Sequence, residues 1–139
     1  STSLRLEADT AESGIFFNDG SGKFAFRPLP RLAQISPVRD IVSFDANGDG
    51  KLDLFLAQNF YTPQRETGRF NGGVGLLLTG RGDGAFDPVS PSHSGIVAPE
   101  DSAFAIATDL DGDGDKDLVI ATNDGPVRVF LRDPITREP

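Results

Sequence analysis

Two acidic segments of this chain carry oxygen-bearing side chains at the same spacing. The first runs from Asp45 to Asp53, and the second runs from Asp109 to Asp117, 64 residues further along. Both read D-x-[DN]-x-D-G-x-x-D, and both lead into an apolar run. Alternating carboxylate and amide oxygens around a glycine turn can wrap a hard cation, and calcium takes six to eight oxygens at about 2.3–2.6 Å. The spacing therefore predicts two calcium sites.

Each position of the two segments can be given a role. In loop one, residues 45–53, the predicted ligands are the side chains of Asp45, Asn47, Asp49 and Asp53 and the backbone carbonyl of Lys51. In loop two, residues 109–117, they are the side chains of Asp109, Asp111, Asp113 and Asp117 and the carbonyl of Asp115. Position 6 is glycine in both loops, where the chain turns sharply. The three carboxylates of loop one and the four of loop two would repel one another without a cation.

Other kinds of site fit this spacing less well. An EF-hand needs a glutamate at position 12 and a helix on each side, whereas position 12 is Leu56 in loop one and Ile120 in loop two. Magnesium prefers rigid octahedral sites, and zinc prefers His and Cys ligands, which both loops lack. An acidic β-turn without metal stays open as the alternative for each loop.

The segments on either side of each loop predict β-strands. Short runs at 41–44 and 105–108 enter the loops, and nearly continuous apolar runs at 52–59 and 116–123 follow them. Runs of that length, bounded by turn residues, suit strands that are buried on both faces of a sheet.

Two glycine-containing hairpins, at 15–24 and 76–86, complete a repeating unit of four strands. One whole unit spans about 37–89. Partial units flank it, with strands predicted at 4–6, 14–18 and 23–26 before it and at 104–108, 117–121 and 126–131 after it. Four-stranded units are the blades of β-propellers, so we predict an all-β chain of about two and a half antiparallel blades. No helix of useful length is predicted.

A single repeat domain is expected over residues 1–139. It divides into a partial blade at 1–30, a complete blade at 31–100 and a partial blade at 101–139. Because bulky residues suit stacked sheets, six phenylalanines on or beside the strands are predicted to lie in the core. These are Phe16, Phe24, Phe55, Phe86, Phe104 and Phe130.

The acidic loops, their flanking strands and the turns N-D-G-S-G-K-F and R-G-D-G-A-F resemble FG-GAP/VCBS repeats from about Gly14 to Leu131. Such repeats build the propellers of integrin α-subunits and occur in many bacterial secreted and surface proteins. The resemblance implies calcium in the loops and an extracellular, cell-surface or periplasmic location. A closed propeller has about four to eight blades, so the chain is expected to be a fragment of a longer parent, an open form, or one part of a ring closed by several copies.

Composition excludes several classes of partner. The net charge of −8 leaves no basic face for nucleic acid or for an anionic membrane surface. No apolar stretch is long enough to span a bilayer, so membrane insertion is not expected. The chain has no cysteine, which excludes disulfides and cysteine metal sites. It also lacks methionine, even at position 1, so a mature or excised segment of a precursor is expected.

Two longer connections, at 60–72 and 88–101, are candidates for ligand binding. In an antiparallel unit they emerge at the edge opposite the acidic loops, and loops on a rigid scaffold often carry recognition. The first connection carries the candidate ligand-binding residues Tyr61, Arg65, Arg69 and Phe70. A tolerated insertion is the equal alternative.

The tripeptide Arg81-Gly82-Asp83 spells a sequence that integrins recognise. It falls in a predicted hairpin turn, where glycine is already explained by turn geometry. Short motifs match by chance, so a hairpin turn is the favoured explanation of this tripeptide and an adhesive use is the alternative.

These observations favour a non-enzymatic, extracellular module in which calcium is structural. Its expected role is recognition or scaffolding of a protein or carbohydrate ligand. No nucleophile elbow or phosphate-binding glycine loop is present in the sequence. The alternative is a fragment of a calcium-dependent propeller enzyme, such as a polysaccharide lyase.

Overall fold

The computed structural model describes residues 7–132, and nine β-strands in this range form three antiparallel sheets. The first sheet pairs β1 (Gly14–Asn18) with β2 (Phe24–Pro28). The central sheet has the order β3 (Val38–Phe44), β4 (Asp53–Gln58), β5 (Leu76–Gly80), β6 (Phe86–Val89). The third sheet has the order β7 (Ser102–Thr108), β8 (Asp117–Thr122), β9 (Arg128–Phe130). The all-β prediction is confirmed.

The predicted strands from residue 14 onward are all present, with ends that shift by a few residues. The strand predicted at 4–6 lies outside the described residues. Two single-turn helices were not predicted: a 3₁₀ helix at Arg31–Gln34 and α1 at Pro91–Ser94. Proline at the first position of α1 and Gly95 with φ 69° just after it account for its start and its end.

The acidic loops join neighbouring strands in equivalent ways. Loop one connects β3 to β4, whose facing ends pair Phe44 with Asp53, and loop two connects β7 to β8 through the pair Thr108 and Asp117. Because consecutive strands are antiparallel, both loops and the β5–β6 hairpin emerge at one edge of the sheets. The connections at residues 59–75 and 90–101 emerge at the opposite edge, as predicted.

A shift of register recurs at the start of both loop-bearing strand pairs. It lies between Val38 and Asp40 in β3 and between Ser102 and Phe104 in β7. Such an irregularity bends a strand and increases its twist. At this point the Oδ2 atom of Asp40 accepts the Ala105 N–H at 2.9 Å, which ties β3 to β7.

Strand β4 is the centre of the fold, and all six of its residues are buried. Successive side chains of a strand point to opposite faces. Leu54 and Leu56 enter a cluster that also holds Leu76 and Leu78, and the partly buried Ile15 of the first sheet packs against it. On the other face, β4 contributes to a cluster with the third sheet: Phe55, Ala57, Ala105, Leu118 and Ile120. The central sheet is therefore packed on both faces, as predicted for this run.

The two flanking sheets are packed on one face only within residues 7–132. Phe16 and Phe24 of the first sheet are 65% and 62% exposed, and Phe104 of the third sheet is 51% exposed. The core prediction is therefore wrong for these three phenylalanines, because their side chains lie on the outer faces. It is confirmed for Phe55, which is fully buried, while Phe86 and Phe130 are half-buried.

Candidate metal centre

Hydrogen bonds from the first aspartate of each loop shape the turn. In loop one, Asp45 accepts the Gly48 N–H at 2.7 Å through Oδ1 and the Gly50 N–H at 2.8 Å through Oδ2. Asp109 makes the same two bonds to the loop-two glycines, at 2.7 and 3.1 Å. All four glycines have φ between 77° and 93°, a conformation in which side chains other than glycine are strained. The loops are thus copies in geometry as well as in sequence.

Three carboxylates converge in loop two. Asp109, Asp111 and Asp117 each offer one oxygen, and these oxygens lie within 4.8 Å of one another. Calcium–oxygen distances of about 2.3–2.6 Å place two ligands of one ion no more than about 5 Å apart. The three aspartates could therefore hold a metal ion. Asn47 occupies the Asp111 position in loop one, where an amide oxygen replaces a carboxylate.

The third aspartate of each loop binds the loop backbone. Asp113 Oδ1 accepts the Asp115 N–H at 2.8 Å, and Asp49 Oδ1 accepts the Lys51 N–H at 2.9 Å. Asp113 is not part of the three-carboxylate group. The Lys51 backbone N–H lowers the pKa of Asp49, and the Lys51 ammonium, 3.2 Å from its Oδ2, lowers it further. Asp49 is therefore ionised at neutral pH but already has a cationic neighbour.

Arg132 lies between the two loops and was not predicted from the sequence. Its guanidinium pairs with the Asp115 side chain at 3.1 Å, which agrees with a role for Asp115 through its carbonyl alone. A Cβ atom at Gly48 of loop one would lie 2.6 Å from Arg132 Nη2. No local pattern signals such a contact, because Arg132 comes after β9.

The last aspartate of loop one is fully buried and binds two backbone segments. Asp53 Oδ2 accepts the Ala46 N–H at 2.9 Å within the loop, and Oδ1 accepts the Gly80 N–H at 2.8 Å at the end of β5. A Cβ atom at Gly80 would collide with the Leu52 carbonyl, so this approach needs glycine. Sequence reasoning assigned Asp53 only to the metal and missed this bridge to the next strand.

Asp117 repeats the arrangement in loop two. It is fully buried, its Oδ2 accepts the Leu110 N–H at 2.8 Å, and its Oδ1 accepts the Arg132 N–H at 2.9 Å. These backbone hydrogen bonds, that of Arg132 first, lower the pKa of Asp117. Each carboxylate oxygen keeps a second lone pair, so Asp117 can hold the backbone and also ligate a cation.

Asn59 links the backbone segments at the opposite edge of the sheets. Sequence reasoning did not single out this residue. It is fully buried with φ 82°, and its Nδ2 donates to the carbonyls of Gly73 at 2.9 Å and Pro99 at 2.8 Å. Its Oδ1 accepts the Gly73 N–H at 2.9 Å and the Ser36 hydroxyl at 2.8 Å. One side chain therefore joins the two long connections to each other.

The predicted ligand-binding residues separate into two groups. Tyr61 and Arg69 line a cleft of about 550 Å³ between the two connections, and Arg69 Cζ lies 5.1 Å from the Tyr61 ring centroid. Arg65 is exposed on a turn and does not line this cleft. Phe70 pairs with Phe60 through two backbone hydrogen bonds, and its side chain lies outside the cleft.

The Arg81-Gly82-Asp83 tripeptide is part of the β5–β6 turn. Arg81 pairs with Asp87 at 2.5 Å, and Asp83 Oδ1 accepts the Ala85 N–H at 2.9 Å. Gly82 has φ 84°, so the turn itself requires a glycine at this position.

Comparison with known proteins gives distant relatives. No family model matches the chain, and no solved structure matches it. Human cartilage acidic protein 1 is 27% identical over 115 residues, which cover 78% of this chain and 16% of that protein. The mouse protein of the same name is also 27% identical over 115 residues, which cover 17% of its length. This chain therefore spans about one-sixth of the length of these curated relatives. Among residues 7–132, the structure has no helix whose length and hydropathy would suit a bilayer span.

Proposed function

We propose that this chain is a non-enzymatic, calcium-binding module of the FG-GAP/VCBS type, with one ion in each acidic loop. The convergence of Asp109, Asp111 and Asp117 carries this proposal. All the predicted ligands are oxygens, the loops contain neither His nor Cys, and their backbone is irregular. Calcium accepts such flexible oxygen cages, whereas magnesium requires a near-ideal octahedron.

The ions have a structural role in this proposal. Each loop connects two neighbouring strands, and its last aspartate also binds a backbone amide near the end of the following strand: Gly80 at the end of β5 and Arg132 just beyond β9. A cation bound there stabilises only the folded state, because the unfolded chain does not form the cage. Extracellular calcium is abundant enough to fill weak sites, so the module acts outside the cell or at its surface. In this proposal the ligand binds at the opposite edge of the sheets, where the two long connections lie.

Calorimetric titration with calcium tests the proposal. We expect two sites, and we expect Asp111→Ala to remove the tighter one, since Asp111 belongs to the converging group and loop two has four carboxylates where loop one has three plus an amide. Lys51 also competes with the cation for Asp49 in loop one. Asp49→Ala should remove the weaker site. Asp19→Asn is the matched control, because Asp19 lies in the β1–β2 turn, outside both loops.

Two outcomes of the titration would contradict the proposal. Absence of calcium binding by the folded wild-type chain would refute the proposed function. A greater loss of affinity from Asp49→Ala than from Asp111→Ala would refute the order of the two sites.

The three sheets are blades of a propeller-type stack in this proposal. The apolar outer faces of the first and third sheets support it, because in a stack each face is covered by a neighbouring sheet. The exposed apolar residues of those faces are Phe16, Phe24, Phe104, Ile106 and Val129. Further blades of a parent chain or a second copy of this chain would cover them.

Light scattering over a range of concentrations tests the outer faces. In calcium we expect the isolated chain to self-associate, and we expect the double variant Phe104→Ser/Val129→Thr to associate at least about tenfold more weakly, since each apolar side chain removed from water is worth about 1.5–3 kcal/mol. Val97→Ser is the control, because Val97 is similarly exposed at 46% but lies in a connection. A wild-type chain that stays monomeric and soluble at every concentration would contradict closure by copies.

A further inference from the structure

The cleft between the two long connections has a size and a lining that suit a small polar ligand. Its volume of about 550 Å³ lies in the usual range for ligand sites. Its lining includes Arg39, Phe60, Tyr61, Arg69 and Asp101. We propose that this cleft binds an acidic saccharide, which is a sugar that carries a carboxylate beside free hydroxyls. The inference rests on the proposed function in that it names the ligand of the recognition edge.

Two arginines supply the anion-binding groups of the cleft. Arg39 Cζ lies 4.6 Å from the Phe60 ring centroid, and Arg69 stacks in the same way on Tyr61. Among residues 7–132, neither arginine forms an ion pair with an acid. A guanidinium stacked on a ring keeps its N–H edge free, and that edge matches a carboxylate in a bidentate manner.

Asp101 supplies a hydrogen-bond acceptor. It is only 2% exposed, and its Oδ2 accepts the Tyr61 N–H at 3.1 Å. Its Oδ1 is buried without a hydrogen-bond partner among the described residues. Asp101 lines the cleft, and a buried carboxylate oxygen is costly to leave unpaired, so a ligand hydroxyl that reached this oxygen would be favoured there.

The combination of charges selects the class of ligand. A bare inorganic anion would gain from the arginines but would be repelled by Asp101 and Asp124, which line the cleft together with Glu100, the ion-pair partner of Arg128. A neutral sugar would satisfy Asp101 but leave the arginines without an anion. A sugar acid carries both groups on one rigid ring, so it can engage the arginines and Asp101 together.

The walls of the cleft are fixed before a ligand arrives. The Tyr61 hydroxyl donates to the Pro99 carbonyl, and the Asn59 side chain donates hydrogen bonds to carbonyls of both connections. A site that needs no ordering on binding loses less free energy when its ligand enters.

Titration with two disaccharides of matched shape tests the inference. Cellobiouronic acid carries a carboxylate where cellobiose carries a hydroxymethyl group, and both should be titrated into the calcium-loaded chain by calorimetry. We expect the acid to bind at least about tenfold more tightly, because a hydrogen bond to a charged group is stronger than one to a neutral hydroxyl. The double variant Arg39→Gln/Arg69→Gln should lower its affinity to that of cellobiose. Arg31→Gln is the control, because Arg31 is exposed and lies outside the cleft lining.

A second variant examines the acceptor. Asp101→Asn should weaken binding of both disaccharides, since each donates hydroxyls. Because Asp101 is buried, its variant is informative only if its melting temperature stays near that of the wild type. The arginine variant does not depend on this condition, because both arginines are exposed.

Several outcomes would overturn the inference. They are equal affinity for the two disaccharides, unchanged affinity in the double arginine variant, and displacement of the acid by acetate or by an acidic peptide at similar concentration. A chain that binds two calcium ions but neither disaccharide refutes the cleft alone. A chain that binds the acid without binding calcium refutes the proposed function and leaves the cleft assignment in place.

Discussion

Replacement of Asp53 by alanine is expected to destabilise the protein even when calcium is absent. Asp53 is fully buried, and its two oxygens accept the backbone N–H groups of Ala46 and Gly80. Hydrogen bonds to a charged acceptor contribute about 1.5–3 kcal/mol each, and the variant would leave two amides without their acceptor. We therefore expect the free energy of unfolding in EDTA to fall by about 3–5 kcal/mol.

Urea denaturation in EDTA measures this effect, and Asp49→Ala is the matched control. Asp49 belongs to the same loop and is also a predicted ligand, but it is exposed and binds only its own turn. Its loss should change stability in EDTA by less than about 1 kcal/mol. If both variants were equally destabilised in EDTA, Asp53 would have no special role in the fold. If neither were, its contribution would come only through the cation.

Replacement of Asn59 by alanine should have an effect of similar size at the opposite edge. The side chain makes hydrogen bonds to Ser36, Gly73 and Pro99 from a fully buried position. Alanine would also have to adopt φ 82°, which costs about 1–2 kcal/mol. We expect a total loss of about 3–5 kcal/mol in the free energy of unfolding.

Two further variants separate the causes of this loss. Asn59→Gly removes the hydrogen bonds but tolerates the backbone, so it should be about 1 kcal/mol more stable than Asn59→Ala. Asn123→Ala is the control, because Asn123 holds the equivalent repeat position but is exposed. Its stability should stay within about 0.5 kcal/mol of the wild type. A loss at Asn123 as large as that at Asn59 would contradict the assignment of the effect to the buried bonds.

The strands and the acidic loops were predictable because their signals are local. The runs that became β4 and β8 are apolar and bounded by turn residues, and the loop spacing repeats position by position. The convergence of Asp109, Asp111 and Asp117 follows from this spacing and from the glycines, which force the turn. Local chemistry was sufficient for the elements and for the converging carboxylates of loop two.

The second roles of individual residues were not predictable, because their partners are distant in sequence. Asp53 binds Gly80 after 27 residues, and Asn59 binds Pro99 after 40. The exposure of Phe16 and Phe104 was missed for another reason. A strand pattern shows that a face is apolar, but it does not show whether another sheet covers that face.

The matching register shifts at the start of β3 and β7 affect how the chain can gain or lose residues. Each bends its strand at the same point, and Asp40 links the first of these strands to the second. A further sheet that repeated this irregularity would leave its predecessor at a similar angle. Insertions and deletions in the strands should therefore be tolerated only as whole copies of the unit, as tandem duplication would produce, whereas loss of a single strand residue would invert the inward and outward faces beyond it.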